Sequence, residues 1–97
     1  MSNIEYIKEF VTSYNNREFS IKYGNAMSLG NAEEMIAKHI CENYPEKGYG
    51  NKGNILGKPA SNFSKTAWTK IDKLSKNDET LQELIEYFVG CAKYVER

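Results

Sequence analysis

Residues 77–95 read NDETLQELIEYFVGCAKYV, and this stretch sets the fold class. Leu81, Leu84, Ile85, Phe88, Cys91, Ala92 and Val95 recur three and four residues apart, the spacing of one helix face. Asn77 or Asp78 stands where an N-cap belongs, acids fill the first turns, and Lys93 and Arg97 lie near the end. That order of charges complements a helix dipole. Gly90 is a poor helix former, and its missing side chain predicts the close approach of another element.

An amphipathic helix must bury its apolar face, and the sequence supplies partners. Upstream, Ala67, Trp68, Ile71 and Leu74 give a helix over about 62–75, capped by Ser61 or Ser64. Asn31 and Glu34 form a capping-box pattern ahead of Met35, Ile36, Ile40, Cys41 and Tyr44, so a helix is expected from about Asn31 until Pro45 disfavours it. Ser2 and Glu5 repeat the pattern before Ile4, Ile7, Phe10, Val11 and Tyr14, which predict a helix over about 3–15. The expectation is a mainly α protein: a small four-helix bundle-like single domain over 1–97, with a long Gly/Lys-rich loop at about 45–62. Phe19, Ile21 and Tyr23 alternate with polar residues, which is strand spacing. They pair with Asn54–Leu56 in a short two-stranded β ribbon, lie extended over the helices, or join the sheet edge of a second copy in a homodimer.

The loop contains KGYGNKGNILGK at 47–58, which invites two nucleotide-binding comparisons. Gly48, Gly50 and Gly53 have dinucleotide-fingerprint spacing, but a helical pattern and Pro45 precede them where a strand is required. Gly57-Lys58 lacks both the upstream glycine and the following hydroxyl of a phosphate-binding P-loop. His39 and Cys41 point about 200° apart on a helix, and no pair has zinc-ligand spacing. No cofactor, metal or catalytic residue is therefore assigned, and no enzyme activity is expected. Cys41 and Cys91 read as small buried hydrophobes in a reducing, cytoplasmic setting. No apolar run approaches the roughly 20 residues that span a bilayer.

Thirteen basic residues balance thirteen acidic ones. A dedicated nucleic-acid binder is usually basic. The charge is nevertheless segregated: Lys47 to Lys76 holds seven lysines and one acid, Asp72, with acids on both sides. The expected function is a non-enzymatic protein-binding module. Its character is that of a small bacterial toxin immunity protein, or a phage inhibitor of host defence, which covers a partner's active site. Tyr49, Lys52, Asn54 and Lys58 form one candidate contact surface in the loop, since tyrosine brings contact area at low entropy cost. Glu33, Glu34 and Glu42, or Asp78, Glu79, Glu83 and Glu86, are alternatives that suit the basic cleft of a nuclease. Nucleic-acid binding through 47–76, with Tyr49, Phe63 and Trp68 stacking on bases, is the competing expectation.

Overall fold

The computed structural model describes residues 2–16, 24–51 and 63–95. These form α1 (Asn3–Asn16), α2 (Gly24–Asn43), a single 3-10 turn (Pro45–Lys47), α3 (Lys65–Ser75) and α4 (Glu79–Val95). The described residues are mainly helical and include no strand. The ribbon expected from 19–23 and 54–56 falls outside the described residues.

Local chemistry sets the ends of the helices. At α1 the Ser2 N–H donates to Glu5 Oε2 at 3.2 Å and the Glu5 N–H donates to Ser2 Oγ at 3.3 Å, a reciprocal capping box. Ser64 caps α3, its Oγ accepting from the Ala67 N–H at 3.1 Å, so this helix starts at Lys65 rather than near Asn62. Asp78 caps α4, its Oδ1 accepting from the Leu81 N–H at 3.0 Å. The capping-box pattern at Asn31 and Glu34 does not mark a terminus, because α2 begins seven residues earlier at Gly24. Burial of Leu29 and Ala32 extends its apolar face toward the N-terminus. Tertiary packing thereby overrides the poor helix propensity of Gly and Asn in that segment.

All four helices contribute to one core. Trp68, Phe63, Phe88, Ile7, Ile36, Ile40, Ile71 and Leu81 are its largest fully buried side chains. Each contributes about 1.5–3 kcal/mol relative to exposure. Rings line its centre: Phe63 meets Trp68 edge-on at 5.1 Å, and Trp68 meets Phe88 at 4.7 Å. Phe10 of α1 reaches the same Phe88 at 6.4 Å. Trp68 belongs to this core, as its place in a helical stripe suggests.

The helix α4 is the hub. It packs most extensively on α2 and also on α1 and α3, while α1 packs on α3. His39 near the end of α2 bonds Asp78 at the start of α4, so those two helices run antiparallel. Gly90 does not admit a neighbour. It is exposed, and a Cβ built on it would meet nothing within 4 Å. The glycine therefore faces solvent, contrary to the close approach expected of it.

Candidate functional site

Among the described residues, two polar constructions lie inside the frame and two charged faces lie outside it. The first construction centres on Asp78, between α3 and α4. Its Oδ2 accepts from the Tyr44 hydroxyl at 2.6 Å and lies 2.7 Å from His39 Nε2. With Nε2 donating, His39 Nδ1 is left as an acceptor, and Asn43 Nδ2 lies 3.3 Å away while also donating to the His39 carbonyl at 2.8 Å. Partial burial alone would raise the Asp78 carboxyl. The hydrogen bonds from Tyr44, His39 and the Leu81 N–H outweigh it and hold the group at about 2. The same bond to Asp78, with burial, pushes the Tyr44 phenol up to about 12. Ser75 completes the junction: its carbonyl accepts from Gln82 Nε2 at 2.6 Å and from the Asp78 N–H at 3.1 Å. These bonds join α2, α3 and α4, which gives the cluster a structural task.

The second construction is Glu33. It does not share the solvent face of Glu34 and Glu42; only 7% of it is exposed. Its Oε2 accepts from the Phe63 N–H at 3.0 Å, just ahead of α3. Burial pushes its carboxyl up to about 7, with the Phe63 N–H pulling the other way. It fixes the entry of Phe63 into the core and is removed from any acidic contact surface.

Of the loop candidates, Tyr49 is half-buried and packs against the core edge. Gly48, in the left-handed region at φ 86°, reverses the chain so that the Tyr49 N–H donates to the Tyr44 carbonyl at 3.3 Å. Lys47 lies over the Tyr44 ring at 5.9 Å from its centroid. Lys52, Asn54 and Lys58 lie outside the described residues. Glu34 and Glu42 are exposed on α2. Cys41 and Cys91 are free thiols, both half-buried. Burial, then the neighbouring Glu42 charge, raises the Cys41 thiol above its usual range, which disfavours the nucleophilic thiolate.

The outward face of α4 is the most distinctive surface of the described residues. Glu79, Glu83, Glu86, Tyr87, Gly90 and Tyr94 are all exposed, at helical spacings of three and four. They form a stripe about 22 Å long. Its first half is acidic and its second half aromatic. Tyr87 and Tyr94 are exposed by 46% and 60%. Lys93, at its edge, is turned toward α1, with Nζ over the Tyr6 ring at 5.4 Å from the centroid. Sequence reasoning singled out the acids here but missed the tyrosines. The available signal was their position between, rather than on, the apolar repeats of α4. A contrasting face occurs on α3, where Lys65, Lys70 and Lys73 are exposed, continued by Lys76 in the following turn.

The comparisons with known proteins return no match: no family model, no curated protein and no solved structure is significantly similar to this chain.

Proposed function

We propose that the protein is a non-enzymatic binding module that docks onto another protein through the outward face of α4, and acts as an inhibitor of that partner. The observation that carries this reading is the exposure of Tyr87 and Tyr94 beside Glu79, Glu83 and Glu86 on a helix otherwise committed to the core. Large exposed aromatics on a rigid element lose little entropy on binding and commonly dominate interface energetics. The acids steer a basic partner and fix its orientation. A basic active-site cleft of a toxin or nuclease has that chemistry, which is why a role like that of an immunity protein is the favoured form of the reading. Because α4 is also the hub of the bundle, the docking face is rigidly supported.

The second reading, nucleic-acid binding, is supported by the exposed lysines of α3, which could contact successive phosphates. Of its expected stacking residues Phe63 and Trp68 are buried, which leaves the half-buried Tyr49.

A pull-down from the native host separates the two. The full chain is used as bait beside a Tyr87→Ala/Tyr94→Ala variant and a Lys65→Gln/Lys70→Gln/Lys73→Gln variant, with and without nuclease. A stoichiometric protein that survives nuclease and is lost only with the tyrosine variant is the expected outcome. Nucleic acid lost with the lysine variant, and released by salt, would replace the first reading with the second.

A further inference from the structure

We draw no further inference here: the strongest candidate, the cleft of about 280 Å³ between the start of α1, the end of α3 and the first half of α4, lined by Asp72 and Glu86 beside Ser2, Asn3, Ser75 and Gln82, is an acidic pair at a helix N-terminus, and nothing in the structure shows what occupies it.

Discussion

Replacing Glu33 by glutamine should stabilise the protein above neutral pH and flatten its pH dependence. In the unfolded chain this carboxyl titrates near its ordinary 4.5, whereas burial in the fold pushes it up to about 7. Between those values the folded state holds a proton that the unfolded state has lost. The stability associated with Glu33 is therefore fully present below about pH 4.5, declines as pH rises, and levels off above about 7. The shift corresponds to about 3 kcal/mol when complete, and to about 2 kcal/mol between pH 5.5 and 8. In Glu33→Gln the side chain keeps an oxygen for the Phe63 N–H without the charge, but its amide N–H groups need partners of their own. The net gain at pH 8 should be about 1–2 kcal/mol, with little gain at pH 5.5. Urea unfolding followed by Trp68 fluorescence measures this directly, since the only tryptophan is fully buried. An unchanged pH slope in the variant, or an equal loss of stability at both pH values, would mean that native Glu33 is ionised and satisfied, and would refute the reasoning.

Other perturbations have equally definite outcomes. Asp78→Ala removes the α4 cap and strands His39 and Tyr44, so it should cost about 2–3 kcal/mol in chemical denaturation. Asp78→Asn, which keeps a capping oxygen, should cost less. The carboxyl of Asp78 is held at about 2, so its contribution to wild-type stability should persist at pH 5 and disappear on acidification toward pH 2. Gly30→Ala and Gly90→Ala should each stabilise by about 0.5–1 kcal/mol, and their effects should add in a thermal melt of the double variant. Tyr87→Ala/Tyr94→Ala should change stability by about 0.5 kcal/mol or less per site while abolishing partner capture.

The frame was legible where a single physical signal dominates. The apolar repeat of 81–95 and the cap at Ser2 follow from local chemistry, and of the paired candidates Ser61 or Ser64 and Asn77 or Asp78 it is Ser64 and Asp78 that cap. The start of α2 was not legible, because Gly24, Asn25 and Gly30 carry the signature of a turn while Leu29 and Ala32 are held by tertiary burial. Glu33 was misplaced for a related reason. Beside Glu34 it reads as one more solvated acid, and only the distant Phe63 N–H gives it an inward role. Sequence spacing also gave His39 no partner, whereas Asp78, which it bonds, is 39 positions away. Gly90 was noticed for a valid reason, its helix penalty, but its place off the apolar repeat, two residues from both Phe88 and Ala92, puts it on the solvent side rather than against a neighbour. The α4 tyrosines differ from core aromatics by their angle around the helix alone.

The most direct test of the account is hydroxyl-radical footprinting of the full chain, free and bound to the protein it captures from its host. The account predicts strong labelling of Tyr87 and Tyr94 in the free chain and protection of both in the complex, with Lys65, Lys70 and Lys73 still accessible to amine labelling. Undiminished labelling of both tyrosines in the complex, with protection moved to the lysines of α3, would contradict it.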